Sequence, residues 1–340
     1  MRHEAILYEK RDDNSVHCLL CAHRCRIFPG KRGICRVREN RDGILYSMVY
    51  GKLVAEHVDP IEKKPLYHFL PGSLSYSVAT AGCNLSCRHC QNYEISILPS
   101  VDTAIPGQYR EPDEVVKKAL ESGCRSISYT YTEPTIFLEY ALDCCRQGRD
   151  AGLRNVFVTN GFMTPEAVKV LTPCLDAANV DLKGATEDFY RQVCGGHMEP
   201  VLETIRALYE AGIWIEVTTL LIPGLNDDQR SLGFISEFIA SIDPLIPWHI
   251  SRFFPTYKMT DHPPTPLGAL RRAERDGKSA GLKYTYIGNI SHEDDQTLCH
   301  RCGNLLLERS GFTLINSNLS QDGACPKCGT AFNGIPGEGS

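Results

Sequence analysis

The sequence lacks any apolar run long enough to cross a bilayer, so no membrane-spanning role is expected. Its opening residues, MRHEAILYEK, are charged and carry no apolar stretch, which argues against a secretory leader and points to the cytosol. Strong charge imbalance is missing too. Lys and Arg number 36 against 41 Asp and Glu, a formal net charge of −5, and nothing in that balance asks for nucleic acid. No internal repeat is visible. With 42% hydrophobic and 23% charged residues the chain has an ordinary globular balance, which excludes wholesale disorder.

What the chain has in excess is cysteine, 16 in 340 residues. In a reducing compartment persistent disulfides are not expected, so clustered thiols point to metal. Three groups stand out: Cys18, Cys21, Cys25 and Cys35; Cys83, Cys87 and Cys90; and Cys299, Cys302, Cys325 and Cys328. The scattered Cys124, Cys144, Cys145, Cys174 and Cys194 are read as packing residues.

Between residues 75 and 289 short β-branched or apolar segments alternate with helical patterns. Strands are expected over 75–80, 126–130, 155–159, 178–182, 214–221 and 248–253, each bounded by Gly, Pro or Asn. Apolar residues spaced by three and four mark helices at 112–121 and 201–210; Pro112 followed by Asp113 and Glu114 opens the first. Such alternation implies an α/β fold with a parallel sheet, whose chemistry sits at the C-terminal strand ends. The expected division is a cysteine-rich N-terminal module with lead-in strands (1–72), a partial (β/α)6 TIM-like barrel (73–290), a four-cysteine zinc-ribbon-like module (291–332) and a frayed Gly-rich tail (333–340).

The central motif is Cys83-Asn-Leu-Ser-Cys87-Arg-His-Cys90, in a loop directly after the first expected strand. Three cysteines can hold three irons of a cubane and leave the fourth open to a ligand, which suits catalysis better than a closed four-cysteine site. The competing reading is zinc with His89 as a fourth ligand, but His89 adjoins Cys90 and chelation there would be strained.

On these residues the chain resembles the radical SAM superfamily. The resemblance implies a [4Fe–4S] cluster, bound S-adenosylmethionine (SAM), and a 5′-deoxyadenosyl radical that abstracts a hydrogen atom. It places His89 at the adenine and likens Tyr131-Thr132-Glu133-Pro134 to the family's Gly-Gly-Glu-Pro segment, with Glu133 on the SAM amino group; the alternative is a helix start at Glu133. It likens Thr159-Asn160-Gly161 to the family's Thr-Asn-Gly, although Asn-Gly also favours a plain turn. Asp181 and Lys183 share one strand face and are assigned the ribose and the SAM carboxylate, against a structural ion pair. His249 and Arg252 on the sixth strand are candidates for adenine or substrate contact; a packed, hydrogen-bonded role competes for His249.

Cys299-His-Arg-Cys302 and Cys325-Pro-Lys-Cys328 form two CxxC knuckles around a hairpin at 305–319, which marks a four-thiolate site with zinc the first choice and iron the second. For Cys18, Cys21, Cys25 and Cys35 zinc and a second cluster stay equally open, with Lys31, Arg32, Arg36 and Arg38 nearby to offset thiolate charge. The segments Cys18–Cys35, Asp59-Pro-Ile-Glu-Lys-Lys-Pro-Leu66, Glu216–Asn226 and Pro247–Arg252 extend the resemblance to the radical SAM protein of the AmmeMemoRadiSam system, related to pyruvate formate-lyase activating enzyme. That implies an electron donor such as flavodoxin or ferredoxin and a protein substrate, Memo-type or a glycyl radical partner. A non-catalytic iron–sulfur or zinc protein for electron transfer or docking is the alternative.

Overall fold

The computed structural model describes residues 3–98, 104–290 and 294–337. Seven parallel strands run in sequence order across one sheet: β1 (Leu74–Thr80), β2 (Ser126–Tyr129), β3 (Arg154–Thr159), β4 (Ala177–Asp181), β5 (Trp214–Leu221), β6 (Trp248–Arg252) and β7 (Thr285–Gly288). Two antiparallel strands, Lys52–Pro60 and Gln108–Tyr109, extend the sheet beyond β1. The main connecting helices are α1 (Pro112–Glu121), α2 (Leu138–Asp150), α3 (Pro165–Leu171), α4 (Glu199–Glu210), α5 (Gln229–Ile242) and α6 (Leu267–Ser279). A strand order without reversal puts right-handed crossovers on one side, so the sheet curls as an open barrel with a concave interior. All six expected strands are present. β7 is a further one, four residues long at the edge.

Local chemistry sets the helix starts. Pro112 occupies the first turn of α1, and the Glu111 amide donates to Glu114 at 2.8 Å. Thr164 caps α3 by accepting from the Ala167 amide at 3.1 Å. On β1, Tyr76 and Val78 belong to the helix-packed core, and alternation turns Ser75 and Ser77 to the interior. Ser75 and Ser128 then bond across β1 and β2 at 2.5 Å. Among the described residues no helix is long and apolar enough to cross a membrane.

The N-terminal residues form two small three-stranded sheets whose apolar side chains, among them Val16, Leu20, Ile27 and Val37, merge with the barrel core. A buried ion pair, Arg38 to Glu139 at 2.6 Å, ties this module to α2. The C-terminal module is a three-stranded sheet, Asp294–Leu298, Leu305–Ser310 and Thr313–Ser317, with a core of its own.

Residues 61–70 close the floor of the interior, at the N-terminal ends of the strands. The amides of Tyr67 and His68 donate to Glu216 at 3.0 and 2.8 Å, and His249 Nε2 meets the same carboxylate at 2.6 Å. This corrects the reading of His249 as a cofactor or substrate contact. It is the second residue of β6, faces the interior from the floor, and is hydrogen-bonded to the buried Glu216 carboxylate. The tail expectation is corrected as well: Ile335 exchanges backbone bonds with His68 and Leu70 at 2.8 and 2.7 Å, so residues 333–337 are docked. Residues 338–340 lie outside the described residues.

His68 joins the floor to the tail through a chain with one consistent direction. Its Nδ1 donates to the Asn333 carbonyl at 2.5 Å, and its Nε2 accepts from the Tyr286 hydroxyl at 2.6 Å. Thr297 donates to Tyr286 at 2.8 Å and accepts from Arg309 at 2.9 Å. Burial pushes the His68 imidazole down to about 4, so the folded protein holds it neutral. Between pH 6.5 and 4 the unfolded chain binds this proton and the folded one does not, so stability falls as pH drops through that window, by up to about 3 kcal/mol. Urea unfolding of the wild type and His68→Gln at pH 8 and pH 4.5 tests this: the wild type is expected to lose more stability than the variant. Equal losses would sink the assignment.

Candidate active site

The loop after β1 carries Cys83, Cys87 and Cys90, all half-buried. It begins at Gly82, whose φ of +101° suits glycine and where a Cβ would stand 2.8 Å from Val37 and 3.1 Å from the Cys35 carbonyl. Backbone contacts then fix the loop on two sides. The amides of Ser86 and Arg88 donate to the carbonyls of Cys194 and Val193 at 2.8 and 2.9 Å. Asn84 donates to the Phe162 carbonyl at 3.2 Å and accepts from Asn160 at 2.8 Å. Gly195 and Gly196 permit this approach. A Cβ at the first would sit 2.3 Å from Ser86 Oγ and at the second 2.5 Å from a Leu85 methyl. Sequence reading passed over that pair. Its signal was a Cys-Gly-Gly run at the end of a helical pattern.

The sulfur spacing separates the cysteine groups by chemistry. Cys299 and Cys328 stand 3.7 Å apart, and Cys302 and Cys325 3.6 Å. Zinc–sulfur bonds of about 2.3 Å around a tetrahedron put the sulfurs about 3.8 Å apart. That set fits one tetrahedral metal ion. Among the described residues it alone gathers three or more ligand atoms within 4.8 Å of one another. Cys83, Cys87 and Cys90 are not gathered in that way; cubane corners hold thiolates about 6–7 Å apart.

The expected cofactor residues gather around this loop with differing commitments. His89 is buried, its Nδ1 has no partner, and burial followed by the charge of Lys183 pushes it down to about 3, so the ring is neutral. An unpaired ring nitrogen beside the triad fits a polar aromatic ligand such as adenine. Lys183 pairs with Asp181 at 2.7 Å, and its charge is felt at Cys87, Cys90 and His89. Asn160 Nδ2 lies 3.8 Å from Cys83 Sγ.

Glu133 is buried beside Cys83 and caps the short helix Pro134–Phe137. Oε1 accepts from the Thr135 amide, the Thr135 hydroxyl and Thr159, and Oε2 accepts from the Asn160 amide at 2.8 Å. The helix-start reading thus holds, and the carboxylate ties the ends of β2 and β3 together. Thr132 donates to the Thr80 carbonyl at 2.8 Å. Tyr131 adopts a φ of +63°, accepts from Asn92 through its carbonyl, and donates its hydroxyl to Asp59. Arg252 is turned to other partners, donating to the Thr265 carbonyl at 2.9 Å and lying over Phe254.

One charged cluster was not foreseen. Asp59 accepts from Lys63 at 2.7 Å and Lys64 at 2.6 Å besides Tyr131, and Lys64 lies 4.6 Å over the Tyr131 ring. Lys64 is only 2% exposed, and burial lowers it to about 8 despite Asp59. Asp59 pairs in register with Ser75 and shares its interior face.

Residues 77–232 match the sequence profile of the Radical SAM superfamily. An uncharacterized protein of Methanocaldococcus jannaschii is 45% identical over 96% of this chain and 97% of its own length. The AdoMet-dependent heme synthase of Methanosarcina barkeri is 32% identical over 52% of this chain and 49% of that protein. Among solved structures, a radical SAM methyltransferase from Sphaerobacter thermophilus superposes with a TM-score of 0.50 at 16% identity, over 70% of this chain and 71% of the other, and shares the fold. A three-cysteine loop leaving the first strand of an open parallel barrel, together with these likenesses, places the chain in the radical SAM superfamily, to which it belongs.

Proposed function

We propose that this protein holds a [4Fe–4S] cluster on Cys83, Cys87 and Cys90 and cleaves SAM reductively. The observation that carries the reading is the triad itself: three sulfurs in one braced loop at the C-terminal edge of β1, not gathered about one point as the C-terminal four are. When bound, a cluster with one open iron supplies an electron to the SAM sulfonium, giving methionine and a 5′-deoxyadenosyl radical for hydrogen abstraction. The chain's own residues bind and orient. His89 offers a flat, neutral ring with a free Nδ1 for adenine. Lys183 is the cation for the SAM carboxylate, and Asp181, the more exposed half of that pair at 35%, is the acceptor for ribose hydroxyls. Glu133 anchors Asn160 and supplies negative charge for the SAM ammonium.

The narrower reading takes a protein as hydrogen donor, either a glycyl radical partner or a Memo-type protein, with flavodoxin or ferredoxin as reductant. It is supported by the segments from Cys18 to Leu66 that resemble the radical SAM protein of the AmmeMemoRadiSam system, a relative of pyruvate formate-lyase activating enzyme. At Cys299, Cys302, Cys325 and Cys328 the 3.6–3.7 Å sulfur contacts suit one tetrahedral ion, for which zinc is the first choice and iron the second.

Anaerobically reconstituted protein given SAM and a strong reductant is expected to form 5′-deoxyadenosine and methionine. An intact cluster without either product would favour a non-catalytic electron-transfer or docking protein. Deuterium from a labelled partner glycine appearing in 5′-deoxyadenosine would establish the narrower reading; deuterium from a small molecule alone would exclude it.

A further inference from the structure

We propose that Cys18, Cys21, Cys25 and Cys35 hold a second iron–sulfur cubane that relays single electrons from a protein reductant to the Cys83–Cys87–Cys90 site. Its destination rests on the reading given above; the cluster itself does not.

The four cysteines line one cavity in the N-terminal module, together with His23, Gly33, Arg38 and Ile136. Their arrangement bears on the two metals that the sequence left open. Unlike the C-terminal four, no three of these sulfurs all lie within 4.8 Å of one another, so they are not gathered as a tetrahedral zinc gathers its ligands. Four thiolates around a shared cavity suit the corners of a cubane.

Arg38 supplies an independent sign of a ligand. The side chain is 1% exposed and lines the same cavity. One guanidinium nitrogen bonds Glu139 at 2.6 Å, yet Nε and Nη1 have no partner. Two buried donor nitrogens left unpaired are costly, and cluster sulfides or cysteine thiolates are acceptors that would satisfy them.

The position explains the relay. The Cys35 carbonyl lies 3.1 Å from the place a Cβ on Gly82 would occupy, and Gly82 precedes Cys83. His23, between Cys21 and Cys25, bonds the Asn84 carbonyl through Nε2 at 2.7 Å, and Asn84 follows Cys83. Ile136 touches both the cavity and the Gly82 position. The two cysteine groups are thus one peptide contact and one hydrogen bond apart. On the other side, Ile34 beside Cys35 is 58% exposed and Phe28 is 50% exposed, so a donor can approach. The donor, a reduced ferredoxin or flavodoxin, loses one electron. The N-terminal cluster takes it up and passes it to the central cluster, and the electron is spent in breaking the SAM carbon–sulfur bond. No proton is exchanged on the way.

The first test uses the full chain with Cys83, Cys87 and Cys90 all replaced by Ala. After anaerobic reconstitution it is expected to retain about four irons and a cubane Mössbauer signal that SAM does not perturb. Adding Cys18→Ala should remove them. Zinc, a two-iron centre or no metal in the triad variant would overturn the cluster, whether or not the central site cleaves SAM. Wild-type protein, with no substitution to disturb folding, should show two cubane populations, one of them altered by SAM; a single population would also overturn it. For the relay, the ratio of flavodoxin-driven to dithionite-driven 5′-deoxyadenosine formation is expected to fall by at least an order of magnitude in Cys25→Ala. An unchanged ratio would overturn the relay.

Discussion

Single replacement of Cys83, Cys87 or Cys90 by Ala is expected to abolish 5′-deoxyadenosine formation, a loss of more than about a thousandfold, because the hard step belongs to the group these thiolates hold. Each sulfur has one corner to itself. His89 has its free nitrogen, but adjacency to Cys90 keeps it from a second corner. The neighbouring Cys194 thiol lies against Cys87, but it is fully buried, with its backbone fixed by the bond from the Ser86 amide. The fold should survive, since the loop is held by Asn84 and by the Ser86 and Arg88 amides rather than by the thiols. Iron bound at the central site should drop by about four per chain while the C-terminal metal stays. Iron and zinc analysis, circular dichroism and product chromatography on each variant check this. A variant within an order of magnitude of wild-type product formation would remove the triad from the chemistry.

The triad was legible because its meaning is local: three cysteines at fixed spacing after a strand. The first six parallel strands were legible for a similar reason, each a short run rich in β-branched or apolar residues. β7 escaped because Thr285–Gly288 is only four residues long and sits at the sheet edge, where little periodicity can build. His249 shows a different limit. Alternation correctly turns it inward, but period two reports the face of a strand and not the height along it, and one turn of reading placed a floor residue at the mouth. Arg38 read as one of the basic residues beside the first cysteine group, and Lys64 only as part of the segment Asp59–Leu66. Both are buried because partners arrive from elsewhere: Glu139 lies 101 residues from Arg38, and Tyr131, whose ring lies beneath Lys64, follows the next strand. The Gly-rich tail read as frayed for the same reason, since the backbone of residues 68–70 that pairs with Ile335 is distant in sequence.

Stripping the metal from Cys299, Cys302, Cys325 and Cys328 is expected to release about one zinc per chain and to melt the C-terminal module. Its separate core holds Leu306, Leu307, Leu319 and Phe332 besides two of the ligands, too little apolar area to order a segment of that length unaided. A structural zinc contributes about 10–16 kcal/mol in small zinc-finger peptides, enough to decide whether such a module folds. The consequence reaches the barrel floor. Arg309 from this module donates to the Tyr67 carbonyl at 2.5 Å and to Thr297, and lies 3.6 Å from Glu62, both side chains being fully buried. Without Arg309 the Glu62 carboxylate, which burial already pushes upward, keeps the Gly72 amide at 2.7 Å and its own amide but no cation. Breaking a buried charge pair costs about 3–5 kcal/mol. For a domain of barrel size that lowers the Tm by about 6–20 °C. Chelator-treated protein should therefore be cut by protease within residues 294–337 and melt earlier, with the iron of the central site untouched. Zinc-free protein that resists protease and melts where the untreated protein does would show that the four thiols are not a structural site. Iron released in place of zinc would leave the tetrahedron standing and change its occupant. Arg309→Met separates the two steps: it should reproduce the loss of thermal stability while the zinc stays bound, because the floor contact and the metal site lie at opposite sides of the same hairpin.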